Sequence, residues 1–548
     1  MMIRIKAFLL FAGTFIGLSS ALYAQPGGLP SGEVDVIRSF EANLIEAERV
    51  GVNPVLPPPD TTVRRQQYNV VARPLNMDYP APVIRPRAIG RERTDDNYNG
   101  LLSLGVGWPL GFYGDLSYDI VNVQDFDLGF RAHRHSFNNN AQVENQRASD
   151  TRLGLDGTYY FDQGFAVTGE LGYTGQTRHY YGYNFPEAED DSIPSFEANE
   201  VRQRFTTIDL AASIFNGTRT EGDFDYSAGF DFYLFDALGA TRETGFAVDI
   251  QATKWFGDRD PLDIRLRTDV TNYRDTSRQN LNNFYLQPSY TAHFDRFKLR
   301  IGANLVNHND EFFIYPDLEA TVNIIPGIVS AFLGATGDLQ KNTFRSLAEY
   351  NPWIRTRLEI ANSDYNRFYG GVEGTLYGLA YRAEVGLKEI EGLPLYLLNR
   401  RTELPTFDVV FDTASIVSIQ ASLTIPLVEN LDLTAGFIQN IYSLDNQDRP
   451  WHLPSTTLNA TGIYTVPNSG LQVRADVFLE NGLPTQNADG TARNLNALFD
   501  ISLGAEYNLS DQLSLWGQLN NLANNQRQRF ARYPTLGINV LAGVSVKF

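Results

Sequence analysis

From about residue 98 to the end of the chain, apolar and polar residues alternate along the sequence. The same alternation recurs in the stretches 208–213, 246–253, 262–270, 297–305, 381–388 and 471–480, and every charged residue in them falls on one side. In 262–270 the apolar-side residues are Leu262, Ile264, Leu266, Thr268 and Val270, and the polar-side residues are Asp263, Arg265, Arg267 and Asp269. A period of two is typical of β-strands that have two different faces.

A soluble β-sandwich also alternates, so strand length and strand ends decide between a sandwich and a membrane barrel. The apolar stretches run to about ten residues, the length of a tilted transmembrane strand. Aromatic residues stand at strand ends, as in the girdles of membrane barrels; they are Tyr159, Tyr160, Phe161, Tyr180, Tyr181, Tyr183, Trp255 and Phe256. The pattern predicts an all-β fold, a transmembrane antiparallel β-barrel of about 22 strands within a range of roughly 18–24.

The connections between strands alternate in length. Short turns are predicted at 162–164, 294–296 and 509–511, whereas 185–200 is a longer loop rich in acidic residues. Barrels of the bacterial outer membrane have short periplasmic turns and long surface loops. The sequence therefore predicts the outer membrane of a Gram-negative bacterium as the location, with outer-membrane lipid around the barrel.

The N-terminal part of the chain differs from the rest. Residues 1–24, with Arg4 and Lys6 before an uncharged run, are typical of a secretory signal peptide. Residues 25–97 are rich in proline and are predicted to be a periplasmic extension without a core of its own; 98–548 is the predicted barrel. We hypothesise that the basic second half of the extension lies in or beneath the barrel mouth; its arginines are Arg64, Arg65, Arg73, Arg85, Arg87, Arg91 and Arg93.

Composition excludes several classes of protein. The 548 residues include no cysteine, which excludes disulfides, Cys-bound metals and a lipid anchor on an N-terminal cysteine. A formal net charge of −19 argues against nucleic acid as a partner. Beyond the signal peptide no run of about 20 apolar residues predicts a transmembrane helix.

The charged residues on the inner side of the strands are the candidates for lining a lumen. Both signs are mixed among them, which suits a wide polar pore with weak discrimination or a lumen filled by internal salt bridges. The predicted lumen-lining residues are Asp263, Arg265, Arg267, Asp269, Arg382, Glu384, Lys388, Arg474, Asp476 and Glu480.

We predict no catalytic, cofactor or metal site, and no enzymatic activity. His133 and His135 share a strand face but lack a third ligand for a metal. The acidic loop 187–200 has the oxygen donors that Ca²⁺ prefers but not the spacing of a defined site. No motif brings a nucleophile together with a base.

The C-terminus carries the most specific signal. The final alternating strand ends on Phe548, as does the terminal strand by which barrel-assembly machinery recognises outer-membrane barrels. The segment 515–522 and the segment Arg532, Tyr533, Pro534 through Val540 resemble the final hairpin of TonB-dependent receptors, those of Bacteroidetes-type bacteria in particular. This resemblance implies an outer-membrane barrel of about 22 strands.

The chain departs from that family at its N-terminus. TonB-dependent receptors carry a plug domain of well over a hundred residues before the barrel, whereas only residues 25–97 stand there in this chain. The resemblance is therefore to a plug-less barrel, and this departure argues against contact with TonB and against energised import by plug movement.

Two functional hypotheses remain open from the sequence. The first is a transport pore or receptor-like channel for a polar solute or ligand. The second is a non-transport subunit that scaffolds an outer-membrane assembly or secretion machine, with the N-terminal arm contacting other envelope proteins by strand addition.

Overall fold

The computed structural model describes residues 98–548 except 124, 187–192, 218–219, 238, 240, 310 and 429. The predicted signal peptide and extension lie outside the described residues and stay predictions. The strands are β1 (Gly100–Trp108), β2 (Leu110–Val123), β3 (Phe126–Asn138), β4 (Arg147–Tyr160), β5 (Phe165–His179), β6 (Arg202–Asn216), β7 (Phe224–Ala237), β8 (Arg242–Phe256), β9 (Asp260–Arg274), β10 (Arg278–His293), β11 (Phe297–His308), β12 (Glu311–Ile325), β13 (Val329–Asn342), β14 (Ala361–Leu376), β15 (Leu379–Asn399), β16 (Thr406–Val428), β17 (Leu431–Leu444), β18 (Thr456–Thr465), β19 (Leu471–Asn481), β20 (Pro484–Gln486), β21 (Ala492–Asn494), β22 (Leu498–Asn508), β23 (Leu513–Asn520), β24 (Gln528–Phe530), β25 (Tyr533–Pro534) and β26 (Asn539–Lys547).

Twenty-two of these strands form one closed antiparallel barrel, as the sequence predicts. Each barrel strand pairs with the next, and β26 returns to pair with β1, with Leu101 opposite Lys547. The seam is closed at its end by the backbone of Gly100 and Phe548, which exchange hydrogen bonds of 2.8 and 3.0 Å. Closure leaves the barrel without an unpaired sheet edge, which a lipid bilayer requires.

The outer face of the barrel is apolar and exposed. Val106 and Leu110 are 69% and 74% exposed, and on β9 the exposed Ile264 alternates with Arg265 on the inner face. A soluble monomer rarely exposes an apolar patch larger than a few hundred Å². The exterior is therefore that of a transmembrane barrel that faces lipid.

The two ends of the barrel differ. One end has short turns, such as the two-residue turn Tyr377–Gly378, in which both residues have positive φ (51° and 85°) as a tight hairpin requires. Phe548 lies at this end, and the opposite end carries the longer connections 180–201, 343–360, 445–455, 482–497 and 521–538. Short turns face the periplasm in outer-membrane barrels, so the long connections lie at the outer end.

The described residues contain little helix. A capped helix α1 (Phe344–Tyr350) and a 3₁₀ turn (Gly182–Asn184) lie in outer connections. Among the described residues no helix has the length and apolarity to cross a membrane. Two short hairpins, β20–β21 and β24–β25, also belong to outer connections and form small sheets of their own.

The upper part of β13 leaves the barrel wall. Its pairing with β12 ends at Thr336 opposite Asp317, whereas its pairing with β14 continues to Asn342 opposite Ala361. The freed segment packs against the inner face of β9, where Lys341 Nζ lies 2.6 Å from Oδ1 of Asp269. This bend carries the connection 343–360 into the opening of the barrel.

Candidate functional site: the closed outer mouth and the charged interior

The outer mouth of the barrel is filled by an apolar core, which we name the mouth cluster. Its residues come from the inner faces of barrel strands and from three outer connections. They are Phe205, Phe235, Tyr273, Leu281, Phe344, Leu347, Ala348, Ile354, Ile360, Tyr396, Leu398, Phe407, Leu483, Leu495, Leu498, Phe530, Ala531 and Tyr533. Because the wall residues range from β6 to β22, the connections close the opening between them.

Helix α1 is fastened to the wall by a buried carboxylate. Oε2 of Glu243, on the inner face of β8, accepts the backbone N–H of Phe344 at 2.7 Å, and Oε1 accepts the Tyr233 hydroxyl at 2.9 Å. Thr343 and Ser346 cap the same helix end through a reciprocal capping box. Backbone N–H groups at a helix start lack hydrogen-bond partners within the helix. The carboxylate provides a partner for one of them, and a buried N–H group without a partner would cost stability.

The chain after helix α1 is held on two sides. Nε2 of Gln279 donates to the carbonyl of Leu358 at 2.8 Å, and its Oε1 accepts from Ile360 N at 2.9 Å. A short bridge joins Ile354 to Phe407, with Phe407 N donating to the Trp353 carbonyl at 3.0 Å. The connection therefore spans the opening from β10 to the start of β16.

A buried histidine of the connection 445–455 joins the connection 521–538 to strand β15. His452 is 1% exposed, and its Nε2 accepts the backbone N–H of Ala531 at 3.2 Å, so Nδ1 carries the proton and donates to the Tyr396 carbonyl at 2.6 Å. Burial, with the positive charge of Arg529 nearby, lowers the pKa of His452 from 6.5 to about 4. The neutral side chain therefore links Ala531 to Tyr396 by hydrogen bonds within the closed mouth.

A charged group lies beside this histidine. Arg529 donates through Nη1 to the His452 carbonyl at 3.1 Å and through Nη2 to the Tyr350 hydroxyl at 2.9 Å. Its Nε lies 2.6 Å from Oε2 of Glu480 at the top of β19. Helix α1, hairpin β24–β25 and the barrel wall thus meet at one guanidinium, which suits a planar group with several fixed donors.

The predicted aromatic girdle is wrong for the tyrosines of the connection 180–201. Tyr183 is 1% exposed, and Tyr181 donates to the Pro534 carbonyl at 2.8 Å and packs edge-on against Trp353 and Tyr533. These side chains close the mouth and do not face lipid. At the short-turn end, by contrast, Tyr159, Phe161 and Phe256 are exposed on the outer wall. Tyr160 lies on the opposite face of β4, where it hydrogen-bonds with Asp127, and Trp255 donates to Asp225 at 2.7 Å on the inner face.

A carboxylate organises the same connection. Glu144 accepts the Tyr183 hydroxyl at 2.7 Å and the backbone N–H of Phe196 at 3.0 Å. These hydrogen bonds lower the pKa of Glu144, whereas burial together with Glu144 raises the pKa of Tyr183 to about 12. The connection 139–146 therefore holds the longer connection 180–201 against the mouth at neutral pH.

The predicted lumen-lining residues lie on the inner faces of β9, β15 and β19, and most are paired. Arg265 Nε lies 2.9 Å from Asp249 Oδ2, and Asp263 accepts the Thr253 hydroxyl at 2.6 Å. Asp269 faces Lys341 at 2.6 Å and Arg267 at 3.3 Å. These pairs balance the positive and negative charges locally. Residues of both signs therefore line the inner face without a large net charge at these positions.

Two further groups of these residues differ in their surroundings. Glu384 lies between Arg367 and Arg382, the latter at 3.0 Å, and Arg474 contacts Asp476 at 2.8 Å. Lys388 is held over the ring of Tyr365 at 4.1 Å from the centroid. Glu480 belongs to the mouth through Arg529. The role of all ten residues in lining a conduit stays a prediction.

The described residues contain no group of three or more metal-ligating side chains. His133 and His135 flank Tyr113, and Nδ1 of His133 lies 3.0 Å from Asp115. Glu187, Glu189, Asp190 and Asp191 of the acidic loop lie outside the described residues. Phe548 stacks on Tyr118 at 5.9 Å beside the seam, and its role as an assembly signal stays a prediction.

The sequence predicts almost none of the contacts of the mouth cluster. Glu243 is indistinguishable in sequence from other inner-face strand residues, and no sequence motif surrounds Arg529. The one available signal is the Tyr533–Pro534 pair quoted for the family resemblance, since Tyr533 stacks on Trp353 at 3.9 Å inside the cluster.

Comparison with known proteins shows the fold. No protein-family model matches the chain, and no curated protein sequence matches it. The iron transporter FrpB from Neisseria meningitidis aligns with TM-score 0.64 and 11% identity over 83% of this chain and 83% of that chain. The pyoverdine outer-membrane receptor FpvA from Pseudomonas aeruginosa aligns with TM-score 0.63 and 11% identity over 82% and 79%. The ferric-catecholate import receptor Fiu from E. coli aligns with TM-score 0.62 and 9% identity over 82% of each chain.

Proposed function

We propose that the chain is an outer-membrane transport barrel of the receptor-like kind, in which the mouth cluster is an outer gate over a charged lumen. The observation that carries the proposal is the way the gate is attached. Helix α1 and the connection after it are held by side-chain contacts, namely the hydrogen bonds of Glu243 and Gln279 and the apolar packing of Phe344 on the wall. Ion pairs of Arg345 with Asp209 at 2.8 Å and of Arg355 with Asp408 at 3.0 Å add to them, together with the isolated bridge between Ile354 and Phe407. A segment that lacks a continuous ladder of backbone hydrogen bonds opens at lower cost than the strand ladder around it.

The ligand class follows from the interior and the mouth. The rows of paired charges on β9, β15 and β19 offer both donors and acceptors to a polar solute. The solved structures of like fold include receptors and transporters for iron and ferric chelates. We propose a polar, hydrogen-bonding ligand that displaces the connections as it binds from outside.

The N-terminal extension stands outside this proposal. The arginines of residues 64–93 are opposite in charge to the acidic barrel, and the hypothesis that this arm lies in or beneath the barrel mouth stays a prediction. TonB is not part of this proposal.

Removal of the gate tests the function. Residues 344–359 are replaced by a short Gly-Ser linker in a chain that lacks 25–97, and single-channel conductance is recorded in planar bilayers. We expect steady conductance from this protein and brief or absent steps from the chain that lacks only 25–97. A barrel that stays silent after both removals would argue against transport.

The interlocked mouth also favours the second candidate function, a scaffold. Buried contacts such as His452 with Ala531 and Tyr396 are what a permanently closed cap would have. A silent barrel that co-purifies with other envelope proteins through residues 25–97 would support the scaffold. Loss of those proteins on deletion of 25–97 identifies the arm as the contact.

A further inference from the structure

Seven arginines lie on the outer face of the barrel near its outer rim, on strands β3 to β10. They share the face of the lipid-exposed apolar residues, and we name them the arginine rim. Its residues are Arg134, Arg147, Arg202, Arg204, Arg242, Arg274 and Arg278. Outward-facing charges at this position do not line the lumen, so the proposed transport function does not explain their presence.

Three of the seven arginines stand four residues from an exposed apolar residue of the same strand face. Arg204 is four residues from Ile208, and Arg242 is four residues from Phe246, both of which are exposed on the same face. The same spacing separates Arg134 from Phe130. Four residues of a strand span about 13 Å. The guanidinium groups of these three arginines therefore reach the headgroup level when the apolar residues lie in lipid.

Like charges are neighbours in this rim. Arg274 is the direct cross-strand partner of both Arg242 and Arg278. Like charges directly opposite each other destabilise a sheet. Asp236 contacts Arg242 at 2.6 Å, and Asp275 is engaged by the Ser277 backbone at 2.8 Å. Among the described residues, Arg274 and Arg278 form no ion pair.

A crevice adjoins the other end of the rim. It lies on the outer face of β2 to β5, has a volume of about 370 Å³, and is lined by Leu110, Phe112, Arg147 and His179 among others. Nε of Arg147 is buried without a hydrogen-bond partner in the described part of the chain. His179 pairs across the strands with Arg202. The crevice thus has an apolar end toward lipid and a basic end toward the surface.

We propose that the arginine rim and this crevice bind phosphate groups of an anionic glycolipid of the outer leaflet, with acyl chains along Leu110 and Phe112. Guanidinium groups bind phosphate oxygens in pairs of parallel hydrogen bonds. A phosphate between adjacent arginines relieves their repulsion. Continuity with the lipid-facing wall favours a lipid over a protein as the occupant.

Binding is measured on the full chain in zwitterionic detergent by native mass spectrometry with added diphosphorylated lipid A. Dephosphorylated lipid A and inorganic phosphate are the comparison probes. Two variants remove separate parts of the rim, Arg202→Gln with Arg204→Gln, and Arg274→Gln with Arg278→Gln. The control is Lys254→Gln, which removes an outward cation at the opposite end of β8, where Lys254 donates to the Gly222 carbonyl.

We expect each double variant to bind diphosphorylated lipid A at least tenfold more weakly than the native chain, and the control to bind as the native chain does. Dephosphorylated lipid A should bind weakly to all four proteins. Equal binding by native and double-variant chains, equal binding of both lipids, or saturation by inorganic phosphate alone at millimolar concentration would overturn the proposal. So would a protein bound to this face in place of lipid.

Discussion

The carboxylate of Glu243 accepts the backbone N–H of Phe344 at 2.7 Å, across 101 positions of the sequence. The guanidinium of Arg345 pairs with Asp209 of the wall at 2.8 Å, so two acidic side chains of the wall hold the first turn of the only α-helix among the described residues. Phe344 itself packs on Phe205, Phe235 and Tyr273 of the wall. Closure of the mouth therefore depends on two neighbouring contacts. We name Glu243 the polar anchor and Phe344 the apolar wedge.

Replacement of the anchor should loosen the connection 343–360. In Glu243→Gln the carboxylate charge is lost and a buried amide faces the helix start, at an expected cost of ~1–3 kcal/mol. Trypsin should then cleave at Arg345, Arg355 or Arg357 faster than in the native chain. Asp489→Asn is the matched control, because Asp489 also accepts a backbone N–H, from Thr491 at 2.9 Å, but in an exposed turn. Equal cleavage rates for Glu243→Gln and the native chain would show that the anchor is dispensable.

Truncation of the wedge should have a larger effect. Phe344 is 1% exposed, and Phe344→Ala should cost ~3–5 kcal/mol of closure free energy because it leaves a cavity in the mouth cluster. Faster amide hydrogen exchange over 343–360, with unchanged exchange in β9, is the expected signature. Phe312→Ala removes a ring that is 63% exposed on the outer wall and serves as the control. Similar exchange in both variants would contradict the account.

Acid should weaken the closed mouth through His452. Its pKa of about 4 in the closed state lies below the value of 6.5 expected when the side chain is exposed. Between these values the open state binds a proton that the closed state excludes, so closure is full above pH 6.5 and weakens as pH falls toward 4. The full difference amounts to about 3 kcal/mol.

The measurement is amide exchange over 445–455 from pH 7.5 to pH 4.5, corrected for the intrinsic pH dependence of exchange. His452→Gln should lose most of the extra opening at low pH. His133→Gln, which alters a histidine on the inner face of β3, should keep it. An identical pH profile for the native chain and His452→Gln would remove histidine protonation as the cause.

The interior charges predict ion selectivity once the barrel is open. Glu384 faces two arginines, Arg367 and Arg382, so Glu384→Gln leaves an excess of positive charge on that part of the wall. In a chain opened as described above, the reversal potential in a salt gradient should shift toward anions, and Arg382→Gln should shift it toward cations. Arg204→Gln changes a charge on the outer face and should leave the potential unchanged. Absence of any shift in the first two variants would place these residues off the conduction path.

The barrel can be predicted from the sequence because the alternation of apolar and polar residues along each strand is a local pattern. Ile264 and Arg265 already show the two faces of β9, and Phe548 marks the closing strand. The mouth cannot be predicted in this way, because its contacts join residues that are distant in the sequence and follow no repeating pattern. Glu243 meets Phe344, and Tyr181 meets Tyr533, only after the strands have closed. Tyr181 and Tyr183 have the composition of a lipid girdle, and only the inward course of their connection shows that they are buried.

The most direct test of the gate uses point variants in an otherwise intact barrel. Glu243→Gln and Phe344→Ala are combined, and single-channel conductance in a chain that lacks 25–97 is compared with Asp489→Asn combined with Phe312→Ala. We predict frequent, long openings from the first protein and rare openings from the second. Equal open times in the two proteins would contradict the claim that the mouth cluster closes a transport path.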